Sequence, residues 1–374
     1  MKILLVAPEI CSPWTEGRKR FVRDLGFALS KEHDVILLCT KAKGQTTDFP
    51  VPYKSAERGW GPFHLIFLHN AIGPLINNFK PHLVCHFPYA TFQHIYRLAN
   101  TWTMWKIDRL CRRHSVPCFT IMYSISKEAT PEMLKPWVSN LVLNQFSFGY
   151  EKQVRLGICF DNKTPVLERR KPIPRNPKLL FMAGMWQQTH KRLKYVLERR
   201  GLSTLLRAGK KLTETGAQLI VAVPLLENPE LRDLLLRDSN NTWSKECIKL
   251  IGEVPLPDIF ESVDLFVFPY AREESSFLPT SVIESMAWGT PVILPDHDFL
   301  AYLRQDGRTA FSFPAGNSDQ LANIITDLLN DPDKYNTVRE NGMHYVRKEM
   351  SIEQSCKDLL SLYARLHSQT PKYS

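Results

Sequence analysis

The feature that most constrains this chain is a repeated alternation. Short apolar runs rich in β-branched residues are each followed by a longer stretch with helical spacing, first over residues 1–150 and again after 178. Parallel strands need a long crossover, usually a helix, so such alternation builds a parallel sheet wrapped by helices. In the first half the spacing predicts strands at KILLVA (2–7), DVILLC (34–39), LIFL (65–68), HLVCHF (82–87), PCFTIM (117–122) and LVLN (141–144), and helices over 18–30 and 92–114. In the second half it predicts strands at LLFMAG (179–184), QLIVAV (218–223), CIKLIG (247–252), LFVFP (265–269) and around 291–294. Helices are expected over 201–215, 229–238, 279–288 and 318–330. The stretch TPVLERRKPIPRNPK (164–178) between the halves has a linker's composition. The expectation is α/β: two Rossmann-like, doubly wound domains facing across a cleft, with function at the carboxyl ends of their strands.

Composition closes off other classes. A length of 374 residues suits two domains, and 44% hydrophobic with 23% charged residues is the make-up of a globular chain rather than a disordered or fibrous one. The net charge of +10 is concentrated in residues 1–150, which carry 18 basic and 10 acidic side chains. That asymmetry suits an anionic partner such as a phospholipid surface or a phosphorylated acceptor, or else a solvated basic face. Eight scattered cysteines form no Cys-x-x-Cys pair and have no histidines at zinc spacing, so neither a structural metal nor disulfides are expected, and a reducing cytoplasm fits. The N-terminal MKILLVAPEI reads as a strand rather than a signal peptide, and no run of 18 apolar residues spans a bilayer. Any membrane contact is therefore peripheral. NTWTMWKIDRLCRRH (100–114) interleaves aromatic and basic residues as an interfacial helix does, although core packing of its aromatic side explains the same letters. No nucleic-acid module is visible, so nucleic acid is not an expected partner.

The segment richest in chemistry is LFVFPYAREESSFLPTSVIESMAWGTPVILP (265–295), a strand, a polar loop, a short helix and a second strand. Pro279 suits the helix start and Gly289 the position just past its end. At 100° per residue Val282, Ile283, Met286 and Ala287 share one face, which leaves Thr280, Ser281, Glu284 and Trp288 on the other, with Glu284 pointing away from the core. The free N–H groups from Leu278 to Val282 form an anion site suited to a diphosphate, and Glu284, one turn on, is placed to accept from a ribose.

This segment resembles the donor-binding signature of retaining GT-B glycosyltransferases, glycosyltransferase family 4: Glu, seven residues, Glu, then Ala-Met-Ala-x-Gly-x-Pro-Val. ESMAWGTPVI (284–293) matches from the second Glu onward, with Ser285 in place of the first Ala. The resemblance extends over RRGLSTLLRAGKKL (199–212), VDLFVFPY (263–270) and QDGRTAFSFPAGNSDQLANIITDLLNDPDKYNTVRENG (305–342). It implies an acceptor domain over 1–168, a donor domain over 169–350, and a last helix (351–367) packing back toward the first domain. It also implies transfer from a nucleotide sugar to a glycan or lipid acceptor, with retention and without a metal or other cofactor.

Two cations would then neutralise the leaving diphosphate. Arg200, before Gly201, fills one slot; beyond Gly184 an apparent insertion leaves Lys191 and Arg192 as substitutes for the other. Eight residues back from Glu284 stands Ser276, so a loop longer by two is needed for Glu274 to act as the first signature acid. In the first domain only Gly17 represents the glycines usual after the first strand, with Arg18 and Arg20 beside it for a phosphorylated acceptor. The family's histidine is absent from FTIMYS (119–124), and His86 is the replacement candidate. The rival readings are a nucleotide-sugar epimerase or hydrolase of the same fold, and a non-catalytic nucleotide-sugar binding subunit.

Overall fold

The computed structural model describes residues 1–11, 17–41, 49–57, 64–88, 94–126, 130–144, 152–159, 176–184, 187–239, 242–252, 256–271, 275–277 and 279–368. The linker at 164–175 and the candidates Glu274 and Leu278 lie outside them. The chain divides into two units, one formed by 1–159, 274–278 and 349–374, the other by 160–273 and 279–348.

The first unit contains β1 (Lys2–Ala7), α1 (Gly17–Ser30), β2 (Asp34–Lys41), β3 (Tyr53–Glu57), α2 (His64–Phe79), β4 (Leu83–His86), α3 (His94–Arg113), β5 (Cys118–Ile121), β6 (Ser124–Ser126), α4 (Pro131–Leu134), β7 (Leu141–Asn144) and β8 (Gln153–Val154). Seven of these strands form one parallel sheet in the order β3-β2-β1-β4-β5-β7-β8. Leu4, Val6, Val84 and Cys118, alternate residues of neighbouring strands, bury one face against Leu65, Leu68, Ile72 and Ile76 of α2 and Ile107 and Cys111 of α3.

LIFL (65–68) is the first turn and a half of α2, not a strand. Four apolar letters in a row do not distinguish the two; the spacing of Leu65, Leu68, Ile72, Leu75 and Ile76 does, since it follows a helical stripe.

The second unit contains β9 (Lys178–Met182), α5 (His190–Glu198), α6 (Leu202–Leu212), β10 (Gln218–Ala222), α7 (Pro229–Ser239), β11 (Ile248–Ile251), α8 (Leu256–Ser262), β12 (Leu265–Val267), α9 (Thr280–Ala287), β14 (Val292–Pro295), α10 (Ala301–Arg304), β15 (Phe311–Phe313), α11 (Ser318–Asn330) and α12 (Pro332–Glu349), the last residue of α12 being counted with the first unit. Its six strands are parallel, in the order β11-β10-β9-β12-β14-β15. The order reverses direction between β9 and β12, and ligands of doubly wound sheets bind outside the carboxyl ends of strands at such a switch.

Two segments late in sequence complete the first unit. β13 (Ser275–Phe277) pairs antiparallel with β6. The other segment is α13 (Ile352–Ser368). Arg155 fastens it: Nε and Nη2 donate to the two carboxylate oxygens of Asp358 at 2.8 and 3.0 Å, its backbone N–H to the same carboxylate at 3.0 Å, and Nη1 to Glu349. Burial pushes the Asp358 carboxyl upward, but hydrogen bonds from Arg155 and Gln354 outweigh it and the group titrates below the ordinary range.

Candidate functional site

The switch point of the second sheet is built from four short segments. β12 runs out through Pro269 to Tyr270, whose ring is 8% exposed and stacks on Phe268 with centroids 3.8 Å apart. Gly201, the residue before α6, has φ of +75°, and a Cβ there would stand 1.7 Å from the Pro269 carbonyl oxygen. Only glycine lets the two backbones meet so closely. The Ala271 N–H donates to the Arg199 carbonyl at 3.2 Å. The neighbouring Arg200 is thereby laid across aromatic rings, its guanidinium 4.4 Å from the Tyr270 centroid and 5.4 Å from that of Tyr195. Burial raises the Tyr270 phenol to about 12 against a smaller opposing pull from Arg200, so it remains a neutral hydroxyl at physiological pH. Arg200 is therefore a half-buried, oriented cation, as an anion-binding arginine must be.

On the other side of β12, α9 has the punctuation the sequence predicts. Gly289 has φ of +71°; its N–H donates to Met286 at 2.9 Å and that of Thr290 to Ser285 at 2.9 Å, a Schellman ending. At the start, Pro279 is the cap residue, and its carbonyl already accepts from the N–H groups of Val282 and Ile283 at 3.0 and 3.2 Å. The expected anion site therefore loses the Val282 N–H, and what remains of it among described residues is the turn at Thr280 and Ser281, both half-buried.

Glu284 does not point into solvent as its helical position predicts. Its side chain is 6% exposed, and every residue from Val282 to Ala287 is buried. Helical periodicity assigns one face to solvent, but α9 is covered on more than one side. Arg339 and Arg347 of α12 donate to the carbonyls of Gly289 and Ala287, a Cβ on Gly342 would approach Met286 to 3.2 Å, and Thr290 donates to Phe260 of α8.

The remaining donor-side candidates divide. Arg192 lies in the first turn of α5, where Thr189 caps its N–H and Gln187 accepts from Nε at 2.7 Å; Lys191 beside it is exposed. A Cβ at Gly184, just past β9, would meet nothing within 4 Å, so packing does not demand glycine there. His297, which sequence reasoning missed, lies two residues past β14. Its Nε2 is 2.9 Å from the Tyr270 carbonyl oxygen, and Arg304 braces its loop by donating to the carbonyls of Pro295 and His297 at 2.6 and 3.1 Å. Its place just beyond a strand end was the available signal.

In the first unit Arg18 is 1% exposed and donates to the Pro8 carbonyl at 2.9 Å. The exposed cation cluster expected for Arg18 and Arg20 is thus not formed: Arg18 braces the turn after β1, and Arg20 pairs with Asp24 at 3.7 Å. The strand needs this brace because its following turn is buried alongside it. Gly17 opens α1 and is half-buried. His86, at the end of β4, is 1% exposed, and burial, with Arg18 adding to it, lowers its imidazole to about 3. Its Nδ1 has no hydrogen-bond partner among the described residues. His86 is consequently a neutral, interior imidazole. Among the described residues no group of three or more His, Cys, Asp or Glu side chains is arranged to hold a metal ion, and no helix is long and apolar enough to cross a membrane.

With this geometry established, the comparisons assign the second unit. Residues 176–331 match the family described as glycosyl transferases group 1. They contain the group 1 glycosyltransferase domain. Over 90 residues the chain is 28% identical to the amylovoran biosynthesis glycosyltransferase AmsK of Erwinia amylovora, a match spanning 22% of each protein. A glycosyltransferase from Rickettsia africae superposes with a TM-score of 0.74 at 15% identity, covering 99% of both chains. Anabaena HepE in complex with UDP does so at 0.69 and 14%, covering 98% of this chain and all of that one. Both Rossmann-like units are thereby accounted for, and the fold is that of GT-B glycosyltransferases. Within the group 1 domain lie Arg200, Tyr270, Glu284 and His297.

Proposed function

We propose that the protein moves a sugar from a nucleotide-sugar donor to a glycan or lipid acceptor, with retention at the anomeric carbon and without a metal. The observation that carries this reading is Arg200, held on the Tyr270 ring beside the Gly201–Pro269 contact at the switch point of the group 1 domain. A nucleotide sugar leaves a diphosphate, and a fixed guanidinium together with the α9 N-terminus offers that charge compensation without reorganisation. Glu284 accepts from the ribose in this reading. Its dry surroundings strengthen a hydrogen bond formed at its remaining exposed edge. Glu274 holds the donor sugar, and the acceptor's proton passes to the leaving phosphate oxygen as the new glycosidic bond forms. The protein works in the cytoplasm, where thiols stay reduced, and the cationic excess of residues 1–150 brings it to an anionic membrane.

The test is a thermal-shift panel of UDP-, GDP-, ADP- and dTDP-sugars. UDP-sugars are the leading arm because UDP is the ligand of HepE. A cognate donor at a hundred times its Kd stabilises by about 2.7 kcal/mol and raises Tm by several degrees. Glu284→Ala is expected to remove the shift. Lowered Tm without donor but an intact shift would make Glu284 a packing residue. Turnover of labelled donor with no acceptor present would favour the epimerase or hydrolase instead. Donor binding with no transfer to any acceptor would favour a binding subunit.

A further inference from the structure

α3 buries one side and presents another of a quite different kind. Met104, Ile107 and Cys111 enter the core of the first unit, while Leu98 is 73% and Trp102 37% exposed. At 100° per residue Leu98, Trp102, Trp105, Arg109 and Arg112 fall on one stripe, with Lys106 and Arg113 along its margin. At about 1.5 Å per residue this stripe runs some 22 Å from Leu98 to Arg113. Its first half is apolar and aromatic and its second half cationic.

The two halves are joined by cation–π contacts. The Lys106 ammonium lies 5.2 Å from the Trp102 ring centroid and 5.4 Å from that of Trp105, and the Arg109 guanidinium lies 5.1 Å from Trp105. The helix's single acid, Asp108, is 1% exposed. It accepts from the Ser139 N–H and hydroxyl at 2.9 and 3.0 Å and from Arg112 at 2.9 Å, so it offsets Arg112 on the outer stripe, while Lys106 and Arg109 lie against the tryptophan rings. The segment that Ser139 ties to α3 exposes two more large apolar side chains, Met133 and Trp137.

We propose that this outer face of α3 is the surface by which the protein lies on an anionic lipid bilayer, with Trp102 and Trp105 in the headgroup region and Lys106 and Arg109 on lipid phosphates. Trp102 and Leu98 stand exposed next to one another at the head of a row of cations, the combination that an interfacial helix presents. An anionic headgroup layer suits both halves of the stripe: apolar rings enter the interface and basic residues meet its negative potential. The inference rests on the membrane contact proposed above and names the face that makes it.

The experiment is co-sedimentation of the full chain with phosphatidylcholine vesicles, with and without phosphatidylglycerol, at low and high salt. Binding is expected to require phosphatidylglycerol and to fall with salt. Lys106→Glu with Arg109→Glu should lower partitioning roughly tenfold or more. Trp102→Ser and Leu98→Ser, at exposed positions, should lower it without changing Tm or donor turnover on a water-soluble acceptor. Wild-type binding that the variants retain would overturn the assignment to α3 while leaving the membrane reading intact. Absence of wild-type binding would overturn both. A concentration-dependent dimer split by Trp102→Ser would then give the face to a second copy of the chain. Donor turnover reports separately on the glycosyl-transfer reading.

Discussion

The carboxyl edges of the two sheets use the same side-chain types to different ends. In the first unit an arginine and a histidine, Arg18 and His86, are both 1% exposed. The arginine is spent on a backbone carbonyl, and the histidine is stripped of its basicity. In the second unit Arg200 and His297 are only half-buried, gathered around Tyr270. Residue type alone does not make a ligand site; solvent access does. A guanidinium sealed in the interior against a carbonyl is out of a phosphate's reach, whereas one stacked on an aromatic face at a half-buried position presents an oriented charge at the edge of solvent.

The contrast can be broken most violently at Gly201. Gly201→Ala sets a methyl group against the Pro269 carbonyl and requires a left-handed alanine, and should cost about 3–5 kcal/mol, read as a lowered Tm or loss of soluble protein. A Tm near wild type would show that the backbone contact shaping the Arg200 corner is dispensable. Arg200→Ala should leave Tm nearly unchanged and lower kcat/KM for the donor roughly 10²–10³-fold, with Arg200→Lys recovering little, because a point charge does not reproduce a stacked fork. Arg18→Ala should do the reverse, removing about 2–3 kcal/mol of stability in a denaturant titration with donor affinity intact. If Arg18 and Arg200 exchanged these phenotypes, the burial argument would fail.

The effect most confined to one condition is in pH, since it is absent at neutrality and develops only in acid. His86 is held neutral in the folded state, down to about 3, while the unfolded chain protonates it near 6.5. Its contribution is therefore intact above pH 6.5 and is lost at up to about 1.4 kcal/mol per pH unit as the pH falls from there toward 3. His86→Gln should flatten that part of a stability–pH curve. An unchanged slope would mean that the imidazole is protonated in place.

Much of this was legible in the sequence where local chemistry decides the outcome. The strand runs from β9 to β14, the Pro279 start and Gly289 stop of α9, and the pairing of Arg200 with a following glycine all follow from hydrophobic period and backbone preference. What escaped depends on partners far along the chain. Glu284 reads as an outward residue until α12, some fifty residues later, contributes Arg339 and Arg347 to the same helix. Arg18 reads as a surface charge until the Pro8 carbonyl turns toward it. The β13–β6 ladder joins segments 150 residues apart through two three-residue strands, too short for any alternation to show. Tyr270 closes VDLFVFPY, a stretch within the family resemblance, but nothing in the sequence marks its ring as the seat of Arg200, and the one mark of His297 is standing just beyond a strand end.

The clasp between Arg155 and Asp358 has a temporal consequence. Translation finishes the second unit's sheet, β9 through β15, before α13 exists, whereas the first unit, begun much earlier, waits for β13 and then α13 to be made. Of the two units, the one whose residues come earlier is thus completed after the other. Residues 1–159 expressed alone are expected to lack the helix that packs on α1 and β8.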